Sequence, residues 1–232
     1  MLIRTILASE MKALFNKLVQ SPSLLRTIPF AIFLGLTFCQ GQFGEASRYW
    51  FYLAKIVMGA WMLWIVRPWI AEMRWAVSWE AIGVGVVVFA IWIGLDPFYP
   101  KLPGAGTPWN PQSQFGKHST LATLFIGVRL IGVTLVVPPL EEVFYRSFVY
   151  RWIVNPDFRS VPLGRFAWIP FLITSAVFGF EHHEWLAGIL CGFAYQGLVC
   201  WKKRLGDAMT AHALTNFLLG VYVIWKGAWN FW

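Results

Sequence analysis

Four places in an otherwise apolar chain carry side chains that could do chemistry. Residues 136–148 read VVPPLEEVFYRSF and set Glu141, Glu142 and Arg146 between apolar runs. Residues 178–185 read FGFEHHEW, which gathers Glu181, His182, His183 and Glu184 behind Phe178. His212 and Asn216 stand four apart in HALTN, and Arg129 lies alone inside the run before the first cluster. A carboxylate can take a proton from water, imidazoles can hold that water, and an amide can donate to an oxyanion. Together these are the parts needed to add water to a carbonyl. Each cluster also has a bland reading, as an ion pair or a satisfied histidine that only locks helices together.

Local geometry divides the two glutamates. Pro138 and Pro139 should end one helix, because proline lacks the N–H and restricts the residue before it. The same residues suit the first turn of the next helix. Glu141 and Glu142 would then sit at its N-terminus, where the helix dipole favours the ionised form. Glu142 and Arg146 are four apart, so they share a face within ion-pair reach. Glu141 points about 100° away. One carboxylate is thus spoken for, and the other is available as a base.

The surroundings are those of a membrane. Across 232 residues, 58% are hydrophobic and only 13% charged, against roughly 45–50% apolar in soluble domains; mean hydropathy is +0.57. Apolar runs cover 27–43, 50–66, 82–95, 121–137, 143–154, 166–180, 185–200 and 208–225. A spanning helix needs ~20 mostly apolar residues, so the pattern predicts an all-α polytopic membrane protein of about eight spans. Trp50, Trp64, Trp69, Trp168, Trp185, Trp201 and Trp225 fall near run edges, as in an interfacial belt. The net charge of +8 suits an anionic leaflet; no basic stripe interleaved with groove-reading side chains points to nucleic acid. Cys39, Cys191 and Cys200 are scattered in apolar runs, which argues for packing rather than a disulfide or a metal.

Residues 1–20 place Leu2, Ile3, Ile6, Leu7, Met11, Leu14, Phe15 and Leu18 at helical spacing, with Arg4, Glu10, Lys12 and Lys17 opposite. That predicts an amphipathic helix in the interface rather than a cleaved signal. Residues 21–232 form one transmembrane domain. Its longest polar connection, 96–120, is rich in proline and glycine and is either a surface loop or a cap over a cavity. Basic residues before the first span and at Lys202, Lys203 and Arg204 both belong on the cytoplasmic side. Eight crossings would separate them; one segment that fails to cross would reunite them.

In chain order, Glu141-Glu142-x-x-x-Arg146, Phe178-x-x-x-His182 and His212-x-x-x-Asn216 fit the patterns EExxxR, FxxxH and HxxxN/D. On these motifs the chain resembles the CPBP family of intramembrane proteases, which includes the type II CAAX prenyl endopeptidases. The resemblance covers roughly 121–220, the expected catalytic core. The length, EHHEWLAGILCGFAYQ and HALTNFLLG are most similar to the bacterial CAAX-protease-related branch that accompanies exosortase/PEP-CTERM systems. The resemblance implies Glu141 as general base and His182 as a holder of the water. His212 and Asn216 would stabilise the oxyanion, Glu142 and Arg146 would position the site, and Phe178 would pack beside it. It also implies a metal-independent peptide hydrolase, a membrane-proximal peptide or protein substrate, and the bacterial inner membrane with its lipids.

Zinc held by Glu141, His182 and His212 is the cofactor alternative, although no HExxH is present and the histidines of EHHE are adjacent. Two rival functions share the same residues. A proton-coupled transporter or channel would string them across membrane depth. A non-catalytic scaffold or immunity protein would retain them without turnover.

Overall fold

The computed structural model describes residues 10, 16–103 and 108–232. Residues 16–20 are helical; apart from these and residue 10, the expected amphipathic helix lies outside the described residues. No strand occurs among the described residues, whose apolar runs form seven helices: α1 (Pro22–Phe38), α2 (Ser47–Val66), α3 (Trp79–Leu95), α4 (Thr120–Val154), α5 (Trp168–Phe180), α6 (Trp185–Lys202) and α7 (Gly206–Lys226). Serine caps start three of them: the Ser21, Ser78 and Ser119 hydroxyls accept from the amides of Leu24, Ala81 and Leu121. The α7 helix stops at Gly227, whose φ of +65° suits glycine.

Helix α4 corrects the sequence expectation. The apolar runs 121–137 and 143–154 are one helix of 35 residues, and Pro138 and Pro139 do not end it. Two π-helical stretches, Gly132–Val136 and Val143–Val149, interrupt its α geometry. At the first, the Val137 amide bonds back to the Gly132 carbonyl, so the widened turn accommodates the prolines that follow. Glu141 and Glu142 are therefore mid-helix, and the dipole argument does not apply to them. The eight expected spans become seven helices, of which four are long and apolar enough to cross a bilayer: Ser47–Trp69, Trp79–Phe98, Thr120–Val154 and Gly206–Lys226. The shorter apolar helices include α1 and α5.

The seven-helix count also removes the orientation conflict. Six helices separate the start of α1 from the end of α6; the first meets the α2–α3 connection and the second the first turn of α3. Glu72 in that connection pairs with Arg26 of α1 at 2.6 Å and with Arg151 of α4 at 3.0 Å. Lys202 at the end of α6 pairs with Glu80 at 2.8 Å. This end of the bundle also carries Arg67, Arg74, Lys203 and Arg204; it is the basic end.

The largely buried Glu72 carboxylate also accepts from the Ser147 hydroxyl. Burial works against its charge, but the Arg26 charge and the hydrogen bonds from Ser147 and Arg26 outweigh that and hold its pKa below the ordinary value. A depressed carboxylate contributes stability that is full above the unfolded pKa of ~4.3 and lost as pH falls through the folded one. The difference in thermal stability between wild type and Glu72→Gln in detergent should therefore be largest near neutrality and shrink below about pH 4. A pH-independent difference would contradict this.

Helices α5 and α6 meet backbone to backbone. A Cβ on Gly192 would lie 2.8 Å from the Ser175 Cα, and one on Gly188 2.9 Å from the Gly179 Cα. This small-residue seam holds the end of α5, and His182 beyond it, against the bundle. Gly192→Leu should destabilise the fold by about 1–3 kcal/mol, read as a lower Tm in detergent. Gly197→Leu is the control, because nothing lies within 4 Å of that position; equal Tm values for the two would contradict the seam.

Candidate active site

Glu142 and Arg146 form the floor of the site. Their side chains are fully buried, with Arg146 Nε 3.2 Å from Glu142 Oε2, as the four-residue spacing predicts. The pair is close in distance without a well-aligned hydrogen bond. Aromatic rings supply the rest of the guanidinium's shell: Phe178 at 4.2 Å, Tyr145 at 5.6 Å and Tyr195 at 5.9 Å from its centre. The other oxygen of Glu142 accepts from His212 Nδ1 at 3.0 Å. Glu142 is thus a bridge between α4 and α7. His212 is held further by Tyr195, whose ring stacks on it at 5.0 Å. The Tyr195 hydroxyl donates to Thr215, one turn beyond His212.

Glu141 faces elsewhere. Its Oε2 is 3.9 Å from His212 Nε2 and has no hydrogen-bond partner among the described residues. Across from it, His182 Nδ1 donates to the Phe178 carbonyl at 2.8 Å. A carbonyl only accepts, so this bond places the proton on Nδ1 and leaves the Nε2 lone pair free. The His182 ring is wedged between Trp92 and Phe178.

Asn216 is more engaged than the sequence suggests. One of its N–H groups donates to the Val133 carbonyl at 2.8 Å. That carbonyl is an orphan of the π turn, because Val137 already bonds to Gly132 and Pro138 has no N–H to offer. Asn216 thereby repairs the proline-broken stretch of α4 and keeps its second N–H for other use.

Glu141, Phe178, His182, His212 and Asn216 all line one cavity of about 160 Å³. That is room for a few water molecules. Trp92 near the end of α3, Glu184 at the start of α6, and Phe231 and Trp232 beyond α7 also line it, so it lies toward the end of the bundle opposite the basic one. The described residues of the connection 96–120 pack against this end of the bundle. Leu102 donates to the His183 carbonyl, the Trp185 indole donates to the Pro100 carbonyl, and Trp109 is buried against Tyr49 and Tyr52. The described residues of this connection thus pack onto the same end of the bundle, and none of them lines the cavity. Trp185 belongs to this contact as well as to a helix edge.

His183 is outside the cavity, whereas Arg129 lines it. Glu184, Trp92, Phe231 and Trp232 were not singled out as site residues. Only Glu184, inside EHHE, carried a usable signal; the others are three among many aromatic residues. Among the described residues, no three His, Cys, Asp or Glu side chains converge as metal ligands would.

Comparison with known proteins fits this constellation. The family described as type II CAAX prenyl endopeptidase Rce1-like matches residues 122–218, which contain every residue of the three motifs. No curated protein and no solved structure matches the chain. The matched family is one of CAAX proteases, and the apolar helices are those of an integral membrane protein.

Proposed function

From a chain whose residues 122–218 match the type II CAAX prenyl endopeptidases, we propose an intramembrane endopeptidase in which Glu141 activates water. The supporting observation is convergence: Glu141, His182, His212 and Asn216 line one small cavity with room for water. A proton relay would instead need these groups at successive depths.

In the reaction, a water accepted by Glu141 and His182 Nε2 loses one proton to Glu141. Its oxygen bonds to the carbonyl carbon of the substrate, and the carbonyl electron pair moves onto oxygen. The free N–H of Asn216 donates to that oxyanion. A protonated His212 donates from Nε2, with Glu142 as its counter-charge. The C–N bond then breaks, and the proton held by Glu141 passes to the departing amine. No step requires a metal. The substrate is a peptide or protein that presents its scissile bond near the membrane surface opposite the basic end. By the positive-inside tendency, that surface is the non-cytoplasmic face of a bacterial inner membrane.

Membrane proteomes of a Glu141→Gln strain and wild type test this reading: a precursor should accumulate uncleaved in the variant. The purified protein should cleave that precursor equally well with and without a chelator. Identical proteomes, or cleavage that stops on chelation and returns with zinc, would overturn the glutamate mechanism.

A further inference from the structure

The basic end of the bundle holds a second cavity, of about 350 Å³, within the ~300–1,000 Å³ range of ligand pockets. Arg26 of α1, Arg151 near the end of α4 and Arg159 in the α4–α5 connection line it, together with Glu72. Three guanidiniums thus share one cavity with a single carboxylate.

The imbalance is built into the fold. Arg26 and Arg151 are only 6% and 7% exposed, and the Phe158 ring lies 5.2 Å from both guanidinium centres. Glu72 answers the two of them through the same oxygen, so one negative charge is divided between two cations. The side chain of Arg159 is exposed and has no ion pair or hydrogen bond among the described residues. Residues 1–9, 11–15 and 104–107, outside the described set, contain no aspartate or glutamate, so they offer no further counter-charge.

Donor capacity is also left over. Arg26 gives one N–H of Nη1 to the Pro22 carbonyl at 2.8 Å and one of Nη2 to Glu72 at 2.6 Å; each nitrogen carries a second. Arg151 Nη1 gives one N–H to the Val161 carbonyl at 3.3 Å and likewise keeps another. Charged planar forks with spare donors match the oxygens of a phosphate. Basic pockets between membrane helices on the cytoplasmic side suit phospholipid headgroups.

We propose that this cavity binds a phosphate group, carried by the headgroup of an anionic phospholipid in the leaflet at the basic end. A free phosphate shares that chemistry, but the setting favours the lipid. Val19, Leu25 and the exposed Trp69 line the cavity beside the arginines. They match a glycerol backbone and the first methylenes of acyl chains, which inorganic phosphate lacks. The headgroup supplies the missing negative charge, ties α1 to α4, and fixes this end of the bundle at headgroup depth. The inference stands apart from the peptidase reading of the other cavity.

The test is equilibrium binding of phosphatidylglycerol and phosphatidylcholine, each with a fluorescent acyl tail, to the purified full chain in neutral detergent. Phosphatidylglycerol should bind about 5- to 25-fold more tightly, as one or two basic residues beside an anionic headgroup provide. Arg159→Gln should lose about 5-fold of that affinity and melt like wild type, because its side chain has no partner to lose among the described residues. Arg165→Gln removes the same charge from the same connection, but Arg165 does not line the cavity; its affinity should stay that of wild type. Arg26→Lys keeps a cation beside Glu72 without the planar fork, and should also bind phosphatidylglycerol more weakly. Equal affinity for the two lipids would overturn the proposal. Equal losses in Arg159→Gln and Arg165→Gln would overturn it too, by leaving only diffuse attraction to a basic surface. Millimolar inorganic phosphate should leave the lipid bound; its displacement would make the free anion the ligand and overturn the lipid assignment.

Discussion

Glu141→Gln is expected to lower kcat/KM by roughly 10²–10⁴-fold, the usual worth of a positioned general base, with the fold unchanged. Two features make the substitution clean. Glutamine has nearly the shape of glutamate, and among the described residues the carboxylate it replaces has no ion pair closer than the 3.9 Å to His212. The buried Oε2 has no hydrogen bond to lose among the described residues. What disappears is the ability to hold a proton taken from water and return it to the departing amine. Cleavage of a precursor by purified protein, alongside a thermal melt, reads both halves of the expectation. If Glu142→Gln abolished turnover while Glu141→Gln left it normal, the roles of the two carboxylates would be reversed.

Arg146→Ala carries the second large effect, and it should fall on stability as well as activity. The arginine and Glu142 are wholly buried, so removing one partner strands the other charge away from water. That costs about 3–5 kcal/mol. The truncation also empties the space between Phe178, Tyr145 and Tyr195. Activity follows because Glu142 is the acceptor that orients His212; a carboxylate freed from Arg146 no longer holds that ring in one place. Arg146→Lys separates charge from shape: it keeps a cation near Glu142 but loses the planar stacking on Phe178, so an intermediate loss is expected. Denaturant unfolding in detergent measures the first effect, and precursor cleavage the second. Wild-type stability in Arg146→Ala would mean that the pair is solvated and that Glu142 needs no partner.

Much of the site was legible from short-range rules. The pairing of Glu142 with Arg146 follows from a four-residue spacing on a helix, and the separation of Glu141 from that pair follows from the 100° step. Both survive the π-helical turn between them because the displacement is small compared with the reach of these side chains. The all-α membrane character follows from apolar runs that no soluble surface could cover. That charged and imidazole groups in such runs share a cavity was an expectation from the cost of burying them singly, ~2.5–3.5 kcal/mol each on the lenient scale.

What the residues alone decided is which side chains would be present, and on which local faces. Only the tertiary structure decided how they are held. Pro138 and Pro139 read locally as a helix end, because the local rule counts a missing donor and a ring clash. The continuous α4 exists because the backbone widens by one residue at Gly132–Val136 and because Asn216, from α7, supplies a donor to the orphaned Val133 carbonyl. Arg129 read locally as a lone charge inside an apolar run. Its actual shell consists of Tyr52, Trp109 and Trp232, 77, 20 and 103 residues away along the chain. Contacts of that kind leave no periodic trace in a sequence, since spacing records only neighbours on one element, and here the decisive partners come from others.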